Sequence, residues 1–321
     1  MEKPKLLFYL LKRLIMAVFV LILISIIIFI TVRLSPGDPV MNKIGPYGDT
    51  SQENYDRVKA ELGLDKSYVT QYLIWLSDCV QLDFGYSQRS GMPISQQIFQ
   101  KLPVSFELIF FAMLIALVIA VPLGMVAAVK RGSLLDQGIR LFSTGFLAMP
   151  AFCIGLLMIV VFSVILKQLP PGGYTDFFVD PVMNIRQLIM PALTLGLFEG
   201  AVLCRHVRAH TVDVLSTNYM RTARAKGLPA GKLYGRHALK NILLPLITVS
   251  GTEFAGLFGG TVICEQVFGW SGLGWYLYQS ISNRDYPAVQ ASVLVIAVIF
   301  VIVNLITDIL YTLVDPRVKL N

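Results

Sequence analysis

The sequence predicts an all-α integral membrane protein with six transmembrane helices, and three observations carry that prediction. The 321 residues are 55% hydrophobic and only 15% charged, and the mean hydropathy is +0.67, outside the range of soluble globular chains. Four runs, 14–32, 108–129, 141–166 and 286–307, contain no charged residue. At about 1.5 Å per helical residue, roughly 20 residues cross a hydrocarbon core of about 30 Å. Two further runs, 187–204 and 241–264, are each interrupted by a single carboxylate, Glu199 and Glu253.

The first run begins after Lys3, Lys5, Lys12 and Arg13, as a secretory leader would. It exceeds a leader's usual apolar length, however, and continues into TVRLSPGDP without a small-x-small cleavage site, so it reads as an uncleaved span. Orientation follows from lysine and arginine placement. With the N-terminus inside, inner segments hold seventeen of the 27 basic residues, eight of them between spans four and five. The short outer loops hold Lys167, Arg186 and Arg284. Both termini are therefore expected in the cytoplasm, and the net charge of +7 reflects topology, not nucleic-acid binding.

Three regions are expected. Residues 1–32 form a cytoplasmic N-terminus and the first span, 33–103 an extracytoplasmic helical segment, and 104–321 a five-helix core. In the outer segment Thr50 and Glu53 have capping-box spacing, Tyr55, Val58 and Leu62 share one face, and Gly63 ends that helix. A second helix presents Val69, Tyr72, Leu73, Leu76 and Val80 at helical spacing. Roughly 70 residues without a cysteine framework form too small a core to stand alone, so the segment is expected to pack on the membrane core. Cys79, Cys153, Cys204 and Cys264 show no CxxC spacing and read as small buried hydrophobes. No internal repeat is evident.

The most informative segment is the inner loop, 209–240. Residues 218–226 contain helix formers without a breaker, Gly227 is a natural stop, and Pro229 suits the first turn of a second helix. Arg221, Arg224, Lys226, Lys232, Arg236 and Lys240 crowd this helix–turn–helix. Its GK dipeptide is not a phosphate loop. Only three residues separate Gly227 from Gly231, and Leu233 follows Lys232 where the Mg²⁺-binding hydroxyl belongs. His206 and His210 share a helix face near Cys204, yet no acidic partner stands at ligand spacing, so no metal site is expected. Contact with anionic headgroups would explain the charge. It would not explain a Gly–Leu–Pro corner with apolar Leu228, Leu233 and Tyr234 among the cations. That combination predicts a docking knob for another protein, its apolar tip filling a groove and its charges orienting it.

With Arg221, Thr222 and Ala223, Gly227, and the closing Leu244-Pro245, the loop resembles the cytoplasmic EAA loop of ABC-importer permeases of the dipeptide, oligopeptide and nickel family. Arg221 stands where other branches have glutamate, and the glycine-to-proline spacing is longer than in sugar importers. Further matches cover nearly the whole chain: LSPGDP at 34–39, LGLD at 62–65, DFGYS at 83–87, PLG at 122–124 and RGS at 131–133. PPGGY at 170–174, MPALTL at 190–195, EQVFGWSGLG at 265–274, DYP at 285–287 and DPR at 315–317 complete the set. The resemblance implies a heteromeric, ATP-driven importer. This chain would pair with a second homologous permease, two ATPase subunits would dock on the loop, and an extracytoplasmic peptide-binding protein would meet residues 33–103. ATP and Mg²⁺ would belong to the ATPases, with no cofactor and no catalytic group on this chain. The coupling residues would be Arg221, Thr222, Ala223, Arg224, Lys226, Gly227, Leu228, Leu233 and Tyr234.

Glu199, Glu253 and Asp308 would cost roughly 2.5–3.5 kcal/mol each if ionised at mid-membrane, so they are expected to face the bundle, a wet path or a partner. Both a structural hydrogen bond and a lining for the cargo's ammonium remain open. Gly256-x-x-x-Gly260 allows close helix approach, within the chain or against the second permease. Pro122, Pro150, Pro191 and Pro245 kink helices or mark their ends. The rival class is a self-contained secondary transporter or channel, which needs its own ion-coupling site; a membrane enzyme lacks a catalytic constellation in the spans. Dipeptide, oligopeptide, glutathione and nickel complex all remain open as cargo.

Overall fold

The computed structural model describes residues 3–34, 38–45 and 48–314, and every regular element among them is helical. Residues 35–37 of LSPGDP and the DPR motif lie outside the described residues. Five long helices are apolar enough to span a bilayer: α1 (Lys3–Leu34), α5 (Ile94–Val129), α8 (Pro181–Ser216), α11 (Leu239–Phe268, entered through Ala230) and α13 (Tyr286–Val314). Between α1 and α5 lie the short α2 (Pro39–Ile44), α3 (Gln52–Glu61) and α4 (Tyr68–Val80).

The expected third span is not one straight crossing. Helix α6 (Leu134–Ala148) meets α7 (Ala151–Met158) and its π-helical extension (Ile159–Ile165) at 97°. The cause is local. Pro150 lacks an amide hydrogen and disfavours helical geometry in the residue before it, and Met149 is extended at φ −96° and ψ 132°. The pair counts as a sixth span only if taken together.

The core is a seam between α5 and α8. Ala112, Ala116, Ala120 and Gly124 recur every fourth residue on α5, and Ala192, Gly196, Gly200 and Cys204 do so on α8; all are buried. A Cβ on Gly196 would stand 2.7 Å from Ile115, and one on Gly124 the same distance from Val207. Lipid offers apolar contact as good as leucine does, so helices associate there through close van der Waals packing, which small residues permit. Pro122 and Pro191 lie within these helices without ending them.

The seam is latched at one end by Glu265, which is wholly buried near the C-terminus of α11. Its carboxylate accepts from Ser105 Oγ at 2.6 Å and from the Trp275 amide at 2.7 Å, in the first turn of α12 (Leu273–Ser282). Ser105 Oγ accepts in turn from the Leu273 amide. The buried Trp270 indole donates to the Val104 carbonyl at 2.9 Å and stacks edge-on against Tyr174. Three elements thus meet without leaving the carboxylate unpaired, the condition for burying one.

The outer helices pack on this frame with two differences from expectation. Ser51, not Thr50, caps α3, its hydroxyl accepting from the Asn54 amide. Helix α4 turns Gln71 and Cys79 inward, and Val69, Leu73 and Val80 stay exposed. Its anchor is aromatic: Phe29 of α1 stacks with Tyr72 and Trp75, and the Tyr72 hydroxyl bonds Ser25. Aromatic area outweighs aliphatic periodicity in choosing the face. The four cysteines are free thiols, and burial pushes that of Cys79 up to about 12.

Two outcomes are expected. Gly272→Ala drives a Cβ to within 2.4 Å of Ser105 Oγ and 2.6 Å of Glu265; thermal melting of the purified chain should show a loss of about 1–3 kcal/mol. Gly138→Ala, where nothing lies within 4 Å, should melt no lower. A thiol pushed to about 12 stays protonated at pH 8, so Cys79 should resist maleimide in the folded protein and react once unfolded.

Candidate functional site: the basic corner between α8 and α11

Thr217 both ends α8 and starts α9 (Asn218–Ala225), its hydroxyl accepting from the Met220 amide. The Gly227 amide donates to the Arg224 carbonyl at 3.0 Å, and Gly227 itself sits at φ +74°, a conformation open to glycine at little cost. Pro229 then introduces α10 (Ala230–Lys232), which continues through a π-helical turn (Leu233–Ala238) into α11. Two helices joined at a fixed corner result.

The apolar residues of this corner are not its tip. Leu233 is buried with Met220, Ala223 and Ala238, and Leu228 and Tyr234 pack half-buried against them together with Met125 of α5. The physical reason is that a corner this short needs its own core to hold a shape. What it presents outward is polar: Arg221, Thr222, Arg224, Lys226 and Gly227 are exposed, as are Lys232, Arg236 and Lys240. Tyr219 and His237 bond across the two limbs.

A brace that sequence reasoning missed ties α6 to the part of α8 that leads into the corner. Asp136 of α6, almost fully buried, accepts two hydrogen bonds from Arg208 of α8, at 2.7 and 2.9 Å, and one from the Gly132 amide. The available signal was a lone carboxylate in an otherwise basic inner segment, with an arginine two turns before the corner.

The carboxylates within the spans separate into two kinds. Asp308 pairs with Arg13 at 3.0 Å, joining α13 to α1. Glu199 and Glu253 lie near the midpoints of α8 and α11. Glu199 is 8% exposed and one of its oxygens has no hydrogen-bond partner. Glu253 is half-buried, and beyond it Gly256 and Gly260 lie open, with nothing within 4 Å of a Cβ built on either. Among the described residues nothing packs closely against the GxxxG face.

A bundle of long apolar helices with a basic corner between two of them has the architecture of a multi-pass membrane protein. The model for the binding-protein-dependent transport system inner membrane component matches residues 120–320, and that for its N-terminal part matches residues 6–109. The chain belongs to this family. It is 39% identical to the oligopeptide transport system permease protein AppB of Bacillus subtilis over 97% of this chain and 99% of that one. It is 36% identical to the glutathione transport system permease protein GsiC of Escherichia coli O1:K1 over 97% and 98%. Its fold is shared with a chain of the MetNI methionine ABC transporter in inward-facing conformations, at a TM-score of 0.56 and 20% identity, covering 68% of this chain and 97% of the other.

Removing one partner of the brace should be costly. Asp136→Ala removes the partner of the partly exposed Arg208 guanidinium, for an expected loss of about 1–3 kcal/mol. The double variant Asp136→Leu/Arg208→Met should recover most of it in chemical denaturation, since no charge is then stranded.

Proposed function

We propose that this chain is one permease subunit of an ATP-driven importer of short peptides in the cytoplasmic (inner) membrane of a bacterium or archaeon. It lines half of the pathway, and a second homologous permease lines the other half. Two ATPase subunits grip the corner, and an extracytoplasmic peptide-binding protein meets residues 33–103, where Val69, Leu73 and Val80 offer an exposed apolar ridge. Both termini and the 209–240 loop lie in the cytoplasm, as the basic residues suggest. Residues 104–321 are the pathway-forming core. The chain holds no nucleotide and catalyses no reaction; ATP and Mg²⁺ belong to the ATPases.

The observation that carries the reading is the corner. Its inner face is packed and its outer face cationic, and it is fixed to the ends of α8 and α11. A lever must transmit displacement without bending, and a knob with its own core, braced through Asp136 and Arg208, meets that requirement. The peptide cargo is supported by relatives whose names specify oligopeptide and glutathione permeases. The open face bearing Glu253, Gly256 and Gly260 suits the pathway side, because a carboxylate and bare glycines gain nothing from lipid. Glu253 there serves as a polar lining, whereas Glu199 is buried within the bundle.

The test is ATP-driven uptake of a dipeptide or oligopeptide by vesicles holding the complete importer. Gly227→Val forces a β-branched residue to φ +74°, a strain of about 1–2 kcal/mol or more. It should lower uptake or ATPase retention strongly while insertion is unchanged. Glu199→Gln and Glu253→Gln should lower uptake less. Uptake driven by an ion gradient in vesicles containing this chain alone would overturn the proposal.

A further inference from the structure

A cavity of about 890 Å³ lies where the outer helices meet the end of α1 and the start of α13, far along the chain from the corner. Its volume falls within the roughly 300–1,000 Å³ of small-molecule sites. Two of its lining side chains, Gln71 of α4 and Gln290 of α13, are each only 8% exposed. Gln71 spends its amide nitrogen on the Lys66 carbonyl, and its oxygen has no partner; the amide nitrogen of Gln290 has none either. A buried amide group left unpaired costs about 1–3 kcal/mol. With Gln88 Oε1, which also lacks a partner, two acceptors and one donor line one space.

The remaining walls carry both signs of charge and an aromatic surface. Arg33, Lys59 and Lys66 supply cations, Asp38, Glu61, Asp78 and Asp83 anions, and Trp75 a ring. No ion pair engages Arg33, Lys66 or Asp78 among the described residues. A simple anion would leave Asp78 unused, and an uncharged solute would leave all three unused. An acceptor and a donor for an amide, with a cation and a carboxylate for its two ends, match a short peptide with free termini.

We infer that this cavity is a binding site for a short zwitterionic peptide on the permease itself, formed by the outer segment against the last span and separate from the mid-membrane pair Glu199 and Glu253. The inference rests on the peptide reading above and deepens it by naming free-ended peptides of two to three residues as the ligand class. Gln71 and Gln290 hold the backbone amide, Arg33 or Lys66 the carboxylate, and Asp78 the ammonium.

The experiment uses the assembled importer in lipid nanodiscs without its binding protein, titrated with trialanine and with end-blocked N-acetyl-trialanine amide. Trialanine should bind, and blocking its ends should weaken binding about tenfold or more, as expected when charged groups lose their partners. Gln71→Leu and Gln290→Leu should each weaken trialanine binding by a similar factor. Trp75 gives a readout in the otherwise unaltered chain, so a variant that fails to assemble does not end the test. Trialanine should shift tryptophan emission, and Trp75→Phe should abolish that shift. Absence of binding up to about 10 mM, weaker than any useful capture, would overturn the inference. So would equal binding of the blocked peptide, no Trp75-dependent shift, or protection of the cavity only by a segment of the binding protein. Uptake by the complete importer separates the two readings. ATP-driven peptide uptake without cavity binding sinks this site alone, whereas cavity binding without such uptake sinks the importer reading and leaves the site.

Discussion

The close approach of α5 and α8 is the constraint on which the rest of the molecule depends. In water a bundle is held by the expulsion of apolar surface, but in hydrocarbon that force between helices is absent, and contact must come from shape. Gly124, Gly196 and Gly200 remove the side chains that would hold the backbones apart, with alanines filling the steps between them. Helices α6, α7, α11 and α12 pack directly against this pair. The latch at Glu265 fastens α11 and α12 to one end, and the corner beyond α8 rests on Met125 near the other.

The two ends solve the problem of polar groups next to lipid in different ways. At the Glu265 end a carboxyl side chain is buried, and a hydroxyl and a helix N-terminal amide donate to it from inside the bundle. At the corner, the cations stay in solvent and only alkyl and aromatic groups go inward. The first arrangement makes a rigid joint. The second leaves a cationic surface exposed, while the Asp136–Arg208 pair ties α6 to α8.

Several short motifs scattered along the chain prove to be neighbours. Ser87 of DFGYS donates to Asp285 of DYP, whose carboxylate also accepts from the Gln88 amide, so the outer segment is tied to the last span. The Gly173 amide of PPGGY donates to the Phe268 carbonyl of EQVFGW at 2.7 Å, and a Cβ on Gly172 would collide with that same carbonyl. These motifs are joints in the fold. Their glycines are needed where two backbones touch, and their acids where a turn must be held.

The sequence alone determined what depends on local composition. Long charge-free runs specify spans, Gly227 and Pro229 specify a corner, and the cations around them an exposed surface, because hydropathy, φ preference and charge are properties of residues in place. Partnership was decided only in three dimensions. Leu233 turned inward, α4 docked through Tyr72 and Trp75 in place of its leucines, and the small-residue seam formed at α5 and α8 while Gly256 and Gly260 stayed open. The same holds for Asp136 and Arg208, 72 positions apart, and for Ser105 and Glu265, 160 apart. Nothing local distinguishes a carboxylate that will meet a donor from one that will not; that depends on which helix the chain brings alongside, and only the packed bundle fixes it.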